Sequence, residues 1–167
     1  VFILFPDAPT TTRQTLDFQE RSFSAYVNQL IGKHWSAGVR YRISEAELTG
    51  RFPDLAGVGG VENLNQDERS VLHQAQLFLL FNHPSGIFGG WSSSWYHQHN
   101  SGYTPARPGD DFWQHDIFMG YRFSHRHAEL RFGLLNLTAP DYRLNELNLQ
   151  SELARRRTFT ASFRFHF

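Results

Sequence analysis

Arg157–Phe167, R-T-F-T-A-S-F-R-F-H-F, alternates apolar and polar residues. Phe159, Ala161, Phe163, Phe165 and Phe167 fall on one side of an extended chain, and Thr158, Thr160, Ser162, Arg164 and His166 on the other. Successive side chains of a strand point to opposite faces, so this period of two predicts a β-strand with one wholly apolar face. That face needs a second sheet to cover it, or it meets lipid while the polar face lines a watery lumen. The rest of the chain discriminates between the two.

Moving toward the N-terminus, Ala128–Leu137 sets Ala128, Leu130, Phe132 and Leu134 against Glu129, Arg131 and Gly133. Phe112–Phe123 sets Trp113, Ile117, Met119, Tyr121 and Phe123 against Gln114, Asp116, Gly120 and Arg122. In Ile87–Gln98, Trp91 and Trp95 share one face and Ser92, Ser94 and Tyr96 the other. Ser70–Asn82 alternates more weakly, with Ala75, Leu77, Leu79 and Phe81 against Gln74, Gln76, Phe78 and Leu80. Trp35–Ser44 is regular: Trp35, Ala37, Val39, Tyr41 and Ile43 oppose Ser36, Gly38, Arg40, Arg42 and Ser44. In Asp17–Leu30 the alternation is blurred by Tyr26 and Leu30, as a β-bulge would do. Counting the apolar run Val1–Pro6 gives about eight strands, and no useful length of chain has a helical period.

The connections alternate too. Short turns are expected near 32–34, 83–86 and 124–127, and long polar loops near 45–69, 99–111 and 138–155. Short turns at one end and long loops at the other are the pattern of an outer-membrane barrel. The expected fold class is therefore all-β: a transmembrane antiparallel up-and-down β-barrel of about eight strands, residues 1–167 forming one barrel segment, either alone or as part of a larger barrel. The chain opens inside an apolar run with no basic n-region or cleavage site, which favours a piece of a longer polypeptide over a processed mature chain.

Composition narrows the function classes. Sixteen basic and sixteen acidic residues balance, so charge offers nucleic acid no foothold. Cys is absent, which removes disulfides, thiolate metal sites and a Cys nucleophile. Aromatics at 16% suit strands and membrane interfaces. The negative mean hydropathy is compatible with a membrane barrel, because half of its strand residues face water.

The last part of the chain resembles a known family. Asp116–Phe123 (D-I-F-M-G-Y-R-F), Ala128–Tyr142 (A-E-L-R-F-G-L-L-N-L-T-A-P-D-Y) and Arg157-Thr158-Phe159 are similar to the final three strands of TonB-dependent receptors and porin-like barrels. Asn136, Leu137 and Tyr142 match that family's penultimate motif, with Thr138 where the family has Phe. The alternating aromatics ending on Phe163, Phe165 and Phe167 resemble the C-terminal signal of such barrels. The resemblance implies a bacterial outer-membrane location with a periplasmic C-terminus, and the barrel-assembly machinery as a partner through the last strand. Lipid, lipopolysaccharide and further barrel strands or subunits are the other partners it implies.

Candidate site residues follow from the faces. Arg40, Arg42, Asp116, Arg122, Glu129, Arg131 and Arg164 share the polar face, where they select anionic solutes or pair across strands. Trp35, Tyr41, Trp91, Trp95, Trp113 and Tyr121 share the apolar face and form an aromatic girdle or, near loops, a sugar-stacking platform. His97/His99 and His125/His127 have a chelating spacing without a third ligand at motif distance, so no metal is expected. Acids in the long loops (Glu45, Glu47, Asp54, Glu62, Asp67, Glu68, Asp110, Asp111) read as solvated charge or as ligands for divalent cations. No Ser or His sits in a nucleophile elbow, so neither an enzyme nor a cofactor is expected. The expected function is the wall of a pore or receptor for solute transport. The alternative is a small self-contained barrel that binds partners through its loops. A soluble sandwich is the third reading.

Overall fold

The structure is a computed structural model and describes residues 11–55, 65–123, 127–150 and 153–165. Its strands are β1 (Thr15–Ile31), β2 (Trp35–Arg51), β3 (Gln66–Asn82), β4 (Ile87–Ser101), β5 (Asp110–Arg122), β6 (Ala128–Leu135) and β7 (Thr158–Phe165). They form one seven-stranded sheet in sequence order, each strand antiparallel to the next. A single 3-10 turn, Pro53–Leu55, is the only helical element among the described residues. The apolar run Val1–Pro6, expected as a further strand, lies outside the described residues, as does Phe167.

Directions alternate, so the connections at 32–34, 83–86 and 123–127 lie at one end of the sheet and those at 52–65, 102–109 and 136–157 at the other. Gly86 has a φ of 97°, open to glycine alone at little steric cost, and closes the second turn by donating to His83 O at 3.0 Å.

Two expectations are corrected. The β1–β2 register runs without a gap from Thr15↔Arg51 to Ile31↔Trp35, so no bulge exists there. Tyr26 and Leu30 sit on the polar face of an edge strand, and the ladder holds their register whatever the side chains are. Second, the loop expected at 45–69 is shorter, because β2 runs to Arg51 and β3 starts at Gln66. Beyond Ser44 charged residues enter the formerly apolar face, which silences the hydrophobic period while the ladder continues. Arg69 pairs there with Glu45 and, at 3.7 Å, with Glu47, and Arg51 with Asp67 at 2.6 Å. Glu45, Glu47, Asp67, Glu68, Asp110 and Asp111 are thus strand residues, whereas Glu62 lies outside the described ones.

The sheet is not closed into a barrel: β1 and β7 are both edges. In an up-and-down sheet of seven strands the first and last run parallel, so the antiparallel ladder cannot join them. Closure in the same pattern needs an even count.

Directly opposed residues point to the same side of a sheet, so the register defines two faces. One carries the apolar rows, from Phe23, Ala25 and Val27 on β1 to Phe159, Ala161 and Phe163 on β7, and stays exposed, Met119 at 67% and Phe163 at 65%. The other is polar and is covered in part by the segment after β6, which supplies buried Asn136, Tyr142, Asn145 and Asn148. The buried apolar side chains of this face are Ala46, Leu72 and Phe112 under that segment and Phe88 nearer the short turns.

Candidate functional site

Three adjacent rungs of the polar face define the site. Tyr26, Arg40, Gln76, Ser94 and Gln114 lie side by side across five strands. Ser24, Arg42, Gln74, Tyr96 and Phe112 make the next rung, and Ser22, Ser44, Leu72, Gln98 and Asp110 the one beyond. A sheet spaces neighbouring strands by about 4.8 Å, so Arg40 and Gln114 stand roughly 14 Å apart across the wall.

The cover begins where β6 ends. Asn136 adopts φ 55°, a left-handed conformation that Asn tolerates, and turns the chain back across the polar face. Its backbone N–H donates to Asp116 Oδ1 at 2.8 Å and its side-chain amide to Ala154 O at 2.7 Å. Tyr142 then stacks on Phe112 at 4.7 Å, Phe112 stacks on Tyr96 at 5.1 Å, and the Tyr142 hydroxyl donates to Leu153 O at 2.8 Å.

Two asparagines lock the cover to β2, β3 and β4. Asn148 is 1% exposed; its amide donates to Ser44 O at 3.1 Å, Ser44 Oγ at 3.2 Å and Ser70 O at 3.2 Å. Its oxygen accepts from Ser70 Oγ at 2.6 Å and Gln98 Nε2 at 3.0 Å. Asn145 donates its backbone N–H to Gln98 Oε1 at 2.6 Å and its side-chain amide to the Tyr103 hydroxyl at 2.5 Å. The backbone N–H of Arg143 donates to Asp110. Burial raises the pKa of Tyr103, while the bond from Asn145 acts the other way.

Beneath the cover lies a cavity of about 330 Å³, lined by Arg40, Arg42, Gln74, Gln76, Ser94, Tyr96, Gln114, Asp116 and, from the cover, Leu153. A second, of about 380 Å³, shares Asp116 and runs toward Arg131, Thr160 and Ser162. A third, of about 360 Å³, lies within the cover itself and shares Leu153. The three follow one another along the polar face. Nearer the short turns, Phe78, Phe118 and Phe88 face Gly38, Gly90 and Gly120 across the strands. A Cβ at Gly90 would stand 2.6 Å from the Phe118 ring, so these glycines let the rings lie against the sheet.

The seven polar-face charges expected from the sequence all fall on that face, but they do different work. Arg122 donates to Glu129 at 2.9 Å and to Asn82 at 2.8 Å and lies over the Phe88 ring at 4.2 Å. Arg131 lies over Phe118 at 3.8 Å, and Arg164 stands opposite Glu129. Arg42 reaches Glu20 at 3.5 Å. Asp116 bonds the Asn136 backbone. Arg40 has no hydrogen bond or ion pair among the described residues.

The six aromatics named from the sequence lie on the apolar face. Tyr41, Trp95 and Trp113 share one rung, and Trp35 and Phe81 share another near the short turns, 4.7 Å apart. The upper rung turns its polar atoms toward the charged end: Tyr41 OH contacts His73 Nδ1 at 2.7 Å, and Trp95 Nε1 donates to Asp111 at 2.9 Å. His97 also bonds Asp111, at 3.0 Å, and no group of three or more His, Asp or Glu able to hold a metal exists among the described residues. His125 lies outside them.

Sequence reasoning missed the amides: Gln74, Gln76, Gln98 and Gln114 on the polar face, and Asn145 and Asn148 in what reads as a polar loop. The available signal was N-E-L-N-L at 145–149, Asn repeating among leucines. No protein-family model, curated protein or solved structure matches this chain.

Proposed function

We propose that the seven strands form part of the wall of a bacterial outer-membrane β-barrel that serves as a pore or receptor for a solute, with the polar face toward the lumen. The observation that carries this reading is the apolar face, which stays exposed across all seven strands while the polar face holds the cavities. In water such a face would drive aggregation; in a bilayer it is solvated by lipid. On β2 the band runs from Trp35 to the first charge at Glu45, ten residue steps. At about 3.3 Å per step and a tilt of about 40°, that is roughly 25 Å of height, the thickness of the apolar belt of such barrels. Trp35 and Phe81 would then sit at one headgroup level, beside the short turns.

Strand parity sets how the sheet is completed in an antiparallel pattern. Edge N–H and C=O groups cannot face hydrocarbon, so an odd number of further strands joins these seven. Identical seven-stranded copies in one orientation would meet through parallel seams, which argues for strands of other sequence. The C-terminal strand, with Phe163 and Phe165 outward, would present the assembly signal at the periplasmic end. The loop-binding alternative is weaker, since the segment after β6 is tied to its own sheet by Asn136, Asn145 and Asn148.

The test is fractionation and conductance of the full-length protein. Recovery from outer membranes only with detergent, heat-modifiable migration and channel activity in planar bilayers are the expected results. A protein soluble without detergent would overturn the reading.

A further inference from the structure

We infer that the cavity under the cover binds a polyhydroxylated carboxylate, a sugar acid of one or two rings, and that Arg40 takes one carboxylate. This rests on the pore or receptor reading and names the solute class for it.

The charges along the cavity are asymmetric. Arg40 and Arg42 stand at the β2 end and Asp116 at the β5 end. Arg42 is shared with Glu20 and Asp116 with the Asn136 N–H, which leaves Arg40 as the cation without a protein counter-ion among the described residues. One free guanidinium matches one carboxylate, through two parallel bonds. A phosphate dianion would face Asp116 with too little positive charge to balance it.

Between the ends the wall is made of groups that donate and accept: Gln74, Gln76, Ser94 and Gln114. Hydroxyls of a sugar do both, so amides suit them. Gln114 is 6% exposed, and its Oε1 is buried without a partner. A buried amide oxygen left without a bond costs free energy. Gln114 lines the cavity, so a small turn of its amide lets a bound hydroxyl supply that bond. The Tyr96 ring, held by its stack on Phe112, adds an apolar surface for the C–H face of a sugar ring. Small-molecule pockets span about 300–1,000 Å³, and 330 Å³ is at the small end, with room for one or two rings.

The experiment uses the full-length protein in two assays. Liposome swelling with arabinose tests the pore itself, and calorimetric titration in detergent tests the site with digalacturonate, with maltose as the neutral disaccharide and with glucose 1-phosphate. Digalacturonate carries two carboxylates and galacturonate one, so both are titrated. The expected order places galacturonate and digalacturonate ahead of maltose and glucose 1-phosphate. Arg40→Gln weakens binding of the acids by about tenfold to a hundredfold, the range for losing a charge-assisted pair, and leaves maltose unchanged. Gln114→Leu weakens acids and maltose alike. Arg40→Lys, which keeps the charge and the fold, restores at least part of the loss. Swelling with arabinose but no preference for the acids, or equal binding by Arg40→Gln with folding confirmed by heat-modifiable migration, overturns the sugar-acid assignment alone. Preference for glucose 1-phosphate does the same in favour of a phosphate site. Acid binding without swelling keeps the site and rejects the pore, whereas no swelling and no binding reject both.

Discussion

Asn148→Ala tests whether the cover is a fixed part of the wall. The Asn148 amide is shared among three acceptors, Ser44 O, Ser44 Oγ and Ser70 O, and its oxygen takes bonds from Ser70 Oγ and Gln98 Nε2. Counting the two N–H groups and the two accepted bonds, four hydrogen bonds are lost. At a net of about 1 kcal/mol each, the cover loses about 4 kcal/mol of docking free energy. Ser70 Oγ still reaches Asn100 Oδ1 at 2.7 Å and Gln98 still bonds Asn145, which trims the loss to roughly 3 kcal/mol. Amide exchange through local opening should then speed up by about a hundredfold at Arg143–Gln150, since about 1.4 kcal/mol is a factor of ten. Exchange mass spectrometry in detergent micelles reads this directly, with the β3–β4 hairpin as the internal reference. Asn148→Asp keeps the shape but turns a donor into a charge facing two carbonyls, and should open the cover at least as much. Unchanged exchange in both variants would refute the lock, and acceleration spread over the whole sheet would show that Asn148 supports the fold and not the cover.

The two faces should answer oppositely to charge: Ile117→Arg should cost about 2–4 kcal/mol in folding into phospholipid vesicles, whereas Ser162→Glu on the polar face, opposite Arg131, should fold within about 0.5 kcal/mol of the parent. Equal costs would reject the lipid-facing assignment. Gly90→Ala places a Cβ 2.6 Å from Phe118 and 2.7 Å from Leu80, and should lower stability by about 1–3 kcal/mol, while Gly50→Ala, nearest neighbour 3.6 Å, should be silent in the same thermal unfolding assay. The Tyr103 pKa is raised by burial, so its contribution holds below the unfolded value near 10 and falls as pH rises through the folded one. Alkaline titration should therefore loosen the packing that buries Tyr103, while the bond from Asn145 favours the phenolate, and Tyr103→Phe should remove that pH dependence of exchange.

Much of the site was legible because it depends on faces alone. Arg40 and Gln114 belong to the same face by alternation within their own strands. Their roles were not legible: Arg122 meets Glu129 while Arg40 has no partner among the described residues, because of which strands are neighbours and where Glu20 and Asn136 fall. The aromatic rows were readable for the same reason, but the bonds of Tyr41 to His73 and of Trp95 to Asp111 depend on cross-strand register.

The sequence by itself determined the seven described strands, the turns at Gly32 and at Pro84 to Gly86, and the two faces, because a period of two and a Gly- or Pro-marked turn are local properties of the chain. Only the tertiary structure decided where β2 and β3 end, since a ladder bonded through the backbone persists when apolar alternation stops. It also decided that the segment after β6 folds down as a cover. Asn148 lies 104 residues from Ser44, and only the side-by-side placement of β2, β3 and β4 brings its bonding partners to one point. The open edges are likewise a property of the assembled sheet: each strand is complete alone, and only the strand order shows that β1 and β7 lack an outer neighbour among the described residues.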